Sequence, residues 1–168
     1  VTVERDFLKA GNPRKIVNLY ATVLSSDSRN SIEGELREHV AGLFSLALTH
    51  FAFAERLRAA DWRQQVSRYY YACYNASKAL RFFSEGHFSA EVADHKKIGE
   101  LPDDFNDKDK FKLNLENMRT DRNTSDYDHI AVAADLLATP PEIATTTRDF
   151  LTAVRDYCLA RGLTLGEV

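Results

Sequence analysis

The chain has 168 residues, 44% of them hydrophobic and 28% charged, enough to bury one core, which excludes the disordered and low-complexity classes. Only 7 glycines and 4 prolines interrupt it, which points to helices and away from a sandwich or barrel. A formal net charge of -3 excludes a uniformly basic surface, so any contact with phosphates falls to a local patch.

Residues 1–30 are mixed and polar and read as an N-terminal arm or extension ahead of a domain over 31–168. Within the arm, Ile16 to Leu24 reads as a helix or a strand. Ser25 to Ser31 reads as a linker that ends in a helix N-cap. From Ile32 to about Ala60, apolar Leu36, Val40, Leu43, Ala47, Phe51 and Ala54 recur at steps of three and four, the period of a helix. His39 and His50 on it read as boundary residues, because neither has a second histidine or carboxylate pair at metal spacing. Asp61 is the expected N-cap of a second helix, Trp62 to about Ser84. Its stripe is Trp62, Val66, Tyr69, Cys73, Ala76, Leu80 and Phe83. Small Ala72, Ala76 and Ala79 allow a neighbouring helix to come close. Tyr69, Tyr70, Tyr71 and Tyr74 cover more than one face, which suggests core packing plus a dimer contact. Gly86 closes this helix. A loop through Phe88 and Ser89 leads to Asp94, the expected cap of a short turn that begins at His95.

A third long helix is expected from about Asp107 to Asn123. Phe111, Leu115 and Met118 step four and three apart, and the next step of four lands on Arg122. Lys108, Lys112 and Arg119 form an adjacent basic strip, a candidate nucleic-acid contact. A guanidinium on the apolar side must be paired or must line a cleft, and Asp126 and Tyr127 are the nearest partners. The chain is expected to break after Thr124 and resume as helix or turn from Ile130 to Leu137. Thr139-Pro140-Pro141-Glu142 starts a last helix that runs to about Ala160, with Ile143, Phe150, Val154, Tyr157 and Cys158 inward. The expected fold class is all-α, an antiparallel bundle of four main helices with short extra ones.

Arg122 and His129 are separated by six residues. Arginine offers a fixed cation with forked donors suited to phosphate, and histidine exchanges a proton near neutral pH. The two make a minimal kit for cutting RNA without a metal: the ribose 2′-hydroxyl attacks, imidazole takes its proton, and guanidinium stabilises the phosphate charge. The same spacing fits a surface arginine paired with Asp126 or Asp128 beside a loop histidine. Cys73 and Cys158 form no CxxC or zinc pattern and read as buried thiols. No metal, cofactor, membrane span or signal peptide is expected, and the expected location is cytoplasmic.

Taken together, three motifs resemble the HEPN superfamily over roughly residues 33–161. They are the tyrosine- and alanine-rich run Arg68 to Leu80, the Asp94-His95-Lys96 segment after a loop, and Arg122 to His129 with polar Asn123 directly after the arginine. The resemblance implies an all-α bundle that dimerises, with the motifs of two protomers facing one cleft. It implies a metal-independent endoribonuclease of toxin–antitoxin, phage-defence or RNA-processing type, acting on RNA. By position, Arg122 stabilises the phosphate, His129 is the acid/base and Asn123 the polar helper. The Ser125-Asp126-Tyr127 run is also similar to a branch in which Asp-Tyr follows the arginine. There, Asp126 and Tyr127 are structural partners of Arg122. The implied alternatives are a non-catalytic module that binds a nucleotide, nucleic acid or protein, for example beside a nucleotidyltransferase-like antitoxin, and a plain helical dimerisation domain.

Overall fold

Several helix ends in this chain are held by side chains that satisfy the backbone groups every helix end leaves open. The computed structural model describes residues 12–86 and 92–168. The expectations for residues 1–11 and for the loop through His87, Phe88 and Ser89 lie outside them. The described residues form five α-helices: α1 (Pro13–Leu19), α2 (Ser26–Ala54), α3 (Trp62–Glu85), α4 (Lys108–Tyr127) and α5 (Pro140–Leu159). Short 3-10 turns lie at Ala59–Asp61, Val92–Lys97 and Ala133–Asp135, and no strand occurs among the described residues. The fold is therefore all-α.

α3 is the central element and packs against α2, α4 and α5. Its stripe is buried as the periodicity requires, from Val66 through Tyr69, Cys73, Ala76 and Leu80 to Phe83, while Trp62 is half-buried. Ala72, Ala76 and Ala79 have no exposed surface, so neighbouring helices come against the backbone of α3. Facing it are Leu36, Val40, Phe44, Ala47 and Phe51 of α2, Phe111, Leu115 and Met118 of α4, and Ile143, Phe150 and Val154 of α5. Each large side chain buried this way contributes about 1.5–3 kcal/mol. On α2, Phe44 rather than Leu43 is the core residue at that step, and Leu43 is half-buried.

Three boundaries differ from expectation: both ends of α2, which stops at Ala54 and not near Ala60, and the end of α4. α2 starts at Ser26, where the sequence reads as linker: the Ser25 hydroxyl accepts from Ser28 N at 3.1 Å. Residues 25–31 are all exposed, so two helical turns carry no apolar signal. Asp61 makes no side-chain cap and instead pairs with Arg58 at 3.0 Å. The third long helix does not break at Thr124 but continues to Tyr127. Arg63 of α3 holds that end, donating to the carbonyls of Ser125 (2.8 Å), Asp128 (2.7 Å) and Ala131 (2.6 Å). Those carbonyls have no partner inside the helix, so a cation there matches both hydrogen bonding and the helix dipole.

The C-terminal end of α3 is held in the same way. Gly86 adopts φ 70°, and its N–H returns to Phe82 O. Arg14, at the start of α1, donates to the carbonyls of Phe83 and Ser84 and pairs with Glu33 of α2. A Cβ on Gly86 would lie 2.9 Å from Arg14 Cβ, so both the backbone angle and the close approach of α1 require glycine here.

Candidate functional site

Arg122 occupies the inner stripe of α4, one step beyond Phe111, Leu115 and Met118, and its side chain is only 17% exposed. Every guanidinium nitrogen has a neighbour. The Asp126 carboxylate lies 2.7 Å from Nε, off the N–H direction, so this is an ion pair rather than an aligned hydrogen bond. One terminal nitrogen donates to the Tyr71 hydroxyl at 2.9 Å, and the other to Asn123 Oδ1 at 3.2 Å. The carbon of the guanidinium sits 5.8, 5.6 and 5.1 Å from the ring centres of Tyr70, Tyr71 and Tyr127, within cation–π range. Burial works against its charge, but Tyr127, Tyr71 and Asp126 outweigh that and hold its pKa above the ordinary value. Tyr127 is 72% exposed, so this ring of the cluster faces solvent.

A histidine flanks the same two inner rings, and it is His95. Its ring lies 5.9 Å from that of Tyr70 and 6.1 Å from that of Tyr71, and it stacks on Tyr74 at 4.2 Å and 17°. Nδ1 and the Tyr70 hydroxyl are 2.8 Å apart. Nε2 has no hydrogen-bond partner among the described residues and is not a buried orphan. The His95 pKa is lowered, first by burial and then by the Arg122 charge, with Lys78 and Arg119 adding to the effect and Asp94 opposing it. Burial pushes the Tyr70 phenol up to about 12, so it stays protonated. His50 of α2 packs on Tyr71 at 5.7 Å, and burial followed by the Arg68 charge lowers its pKa.

The segment that carries His95 is pinned by a buried ion pair. Arg81 of α3 and Asp94 are 3% and 1% exposed and form two parallel hydrogen bonds of 3.1 and 3.0 Å. Tyr74 donates to the same carboxylate at 3.0 Å. Burial alone raises the Asp94 pKa, but Arg81 and Tyr74 outweigh it and hold the carboxyl below its usual range. The expected role of Asp94 is to cap the turn at His95. It lies instead inside the 3-10 turn, and its carboxylate goes to Arg81 because a buried guanidinium needs a counter-charge more than an exposed N–H needs a cap.

The other sequence-derived candidates are dispersed. His129 is exposed, two residues beyond the end of α4, and no hydrogen bond, ion pair or ring contact joins it to Arg122 among the described residues. Asn123 is exposed and touches Arg122 through its side-chain oxygen. Of the basic strip, Lys108 pairs with Asp103, Lys112 is exposed and lies beside Gly99, and Arg119 is half-buried and close enough to act on Tyr70 and His95. Beyond α4, the buried Asp121 carboxylate accepts from Leu137 N (2.7 Å) and Ala138 N (3.2 Å), which ties down the segment leading to α5. A cleft of about 590 Å³ opens elsewhere, lined by Asp104, Lys110, Arg148 and Arg161 among others, and does not include Arg122.

Sequence reasoning named His95, Tyr70 and Tyr71 in motifs without joining them to Arg122, and it missed Arg81. Two signals were present. Adjacent tyrosines on a buried helix need partners for their hydroxyls. Arg81 falls beside Leu80 and among Ser77, Phe82 and Phe83 on a closed face, so it demands a buried carboxylate.

Fold and site thus define an all-helical domain with an arginine held among tyrosines beside a histidine. No family model, no curated protein and no solved structure matches this chain. Among the described residues no helix is long and apolar enough to cross a membrane, and no group of three or more His, Cys, Asp or Glu side chains has the geometry to hold a metal ion.

Proposed function

We propose that the chain is a HEPN-like domain, its four longer helices forming an antiparallel bundle, and that it is a metal-independent endoribonuclease with Arg122 as the cation for the scissile phosphate. The observation that carries this reading is the Arg122 guanidinium, held by Asp126, Tyr71 and Asn123 on the inner stripe of α4 beside exposed Tyr127. A cation already fixed in a partly dry site costs little reorganisation when charge develops on a phosphate. Arg119 and Lys112 extend positive charge along the same helix and suit the flanking phosphates of an RNA strand. In this reading the domain works as a homodimer. Exposed Leu46 and Phe53 of α2 and Ile130 past the end of α4 supply apolar surface for a second copy. The tyrosines of α3, the first candidates for that contact, are largely taken up inside the chain by His95, Arg122 and Glu55.

A second reading is favoured by one observation: all three guanidinium nitrogens already have protein neighbours. That suits a non-catalytic module in which the arginine organises a face for a nucleotide, an RNA or a protein such as a nucleotidyltransferase-like antitoxin. The test is incubation of purified protein with mixed RNAs in EDTA, wild type against Arg122→Gln, with analysis of the new ends. The first reading expects 2′,3′-cyclic phosphate ends from the wild type and a loss of about a hundredfold or more in the variant. Equal cleavage by both proteins contradicts it. Absence of cleavage by either selects the second reading.

A further inference from the structure

We propose that His95 is the proton carrier of the Arg122 site, a role that rests on the endoribonuclease reading. His95 and Arg122 flank the same pair of rings, Tyr70 and Tyr71, although 27 positions separate them in the chain. Tyr71 bridges them, accepting from Arg122 through its hydroxyl while its ring meets the edge of His95. Arg122 is also close enough for its charge to act on the ring, so a phosphate on the guanidinium would meet the same tyrosine cluster that holds this imidazole.

The ring is held by two contacts. Stacking on Tyr74 sets its plane, and Tyr70 occupies Nδ1. In the tautomer that the proposal requires, Nδ1–H donates to the Tyr70 oxygen and Nε2 keeps its lone pair, with no competing partner among the described residues. The groups acting on the ring come from each packed element: Lys78 and the tyrosines of α3, Arg119 and Arg122 of α4, and Asp94 of its own turn. Cations outnumber the single carboxylate, and together with burial they keep the imidazole neutral at pH 7, the form that accepts a proton. The buried Arg81–Asp94 pair immediately before it gives the base a rigid mount.

In the step this arrangement serves, His95 Nε2 takes the proton of a ribose 2′-hydroxyl. The 2′-oxygen forms a bond to phosphorus, and the bond from phosphorus to the 5′-oxygen breaks. That oxygen leaves with the electron pair and takes a proton from water, giving a 2′,3′-cyclic phosphate and a 5′-hydroxyl. His95 returns its proton to solvent.

The experiment compares wild type, His95→Gln and His129→Ala in the EDTA cleavage assay, and follows the histidine signals of the wild type by NMR as 3′-CMP is added. The expected result is a loss of about a hundredfold or more in His95→Gln and a smaller loss in His129→Ala, with the His95 signals shifting on addition of 3′-CMP. His95→Gln within threefold of wild type overturns the proposal. If His129→Ala is then the inactive variant, the endoribonuclease reading survives without His95. Absence of cleavage by wild type overturns that reading and this step with it. Unmoved His95 signals at saturating 3′-CMP overturn the placement of His95 at the site, whether or not His95→Gln folds.

Discussion

His95 and His129 stand in opposite relations to Arg122. His129 is close in sequence but exposed beyond the end of α4, with no link to the guanidinium among the described residues. His95 lies before α4 begins, yet it is stacked on Tyr74, bonded to Tyr70 and set against the same rings as Arg122. The difference lies in how the neighbours of each histidine are held. Asp94 is drawn into the core by a buried arginine and carries His95 with it. Asp128 and Ala131 are held through their carbonyls by Arg63, and Asp128 also accepts from Ile130 N, which leaves the side chains of His129 and Ile130 in solvent. Spacing in the chain finds pairs on one helix. It does not find pairs brought together by a long-range ion pair.

The largest expected effect comes from removing that anchor. Asp94→Asn leaves Arg81 charged, buried and unpaired, and is expected to cost about 3 kcal/mol or more in urea unfolding. A cost below about 1 kcal/mol would show that the pair does not hold the segment. The sign of the pH dependence is set by the depressed Asp94 pKa. The pair contributes fully above the unfolded carboxylate value of about 3.9, and its contribution is lost as pH falls through the lower folded value.

Arg63→Ala tests the other side of the comparison. It releases three carbonyls at the end of α4, and hydrogen bonds to a charged donor suggest a cost of about 2 kcal/mol. Amide exchange is expected to rise across residues 125–131 and to stay unchanged around His95. Equal loosening of both regions would mean that they are not separately anchored. The smallest effect is expected from His129→Ala, within about 0.5 kcal/mol of wild type, as for an exposed side chain without partners among the described residues. A larger loss would reveal a contact that His129 makes in an assembly.

Much of the fold was legible in the sequence. The stripe of α3 is buried along its length apart from Trp62, and a count along α4 put Arg122 on the inner side, where it is found. Residues 25–31 were unreadable because an exposed helical turn held by a serine cap carries no apolar period. The extension of α4 to Tyr127 was unreadable because its support, Arg63, sits on another helix. The site was half legible. Arg122, Asp126 and Tyr127 are local to one helix, whereas His95, Tyr70 and Tyr71 join them only through tertiary packing.

The most direct test of the account is the NMR titration of His95 in wild type and in Arg122→Gln, because it depends on the two residues being neighbours and on no assumption about activity. The wild-type ring is expected to titrate below the ordinary 6.5, with burial and Arg122 as causes, so that this group favours folding fully above about 6.5 and loses that contribution as pH falls toward its own lower value. Removing the Arg122 charge is expected to raise the His95 pKa. A His95 titration that is the same in both proteins would contradict the claim that Arg122 and His95 share one site.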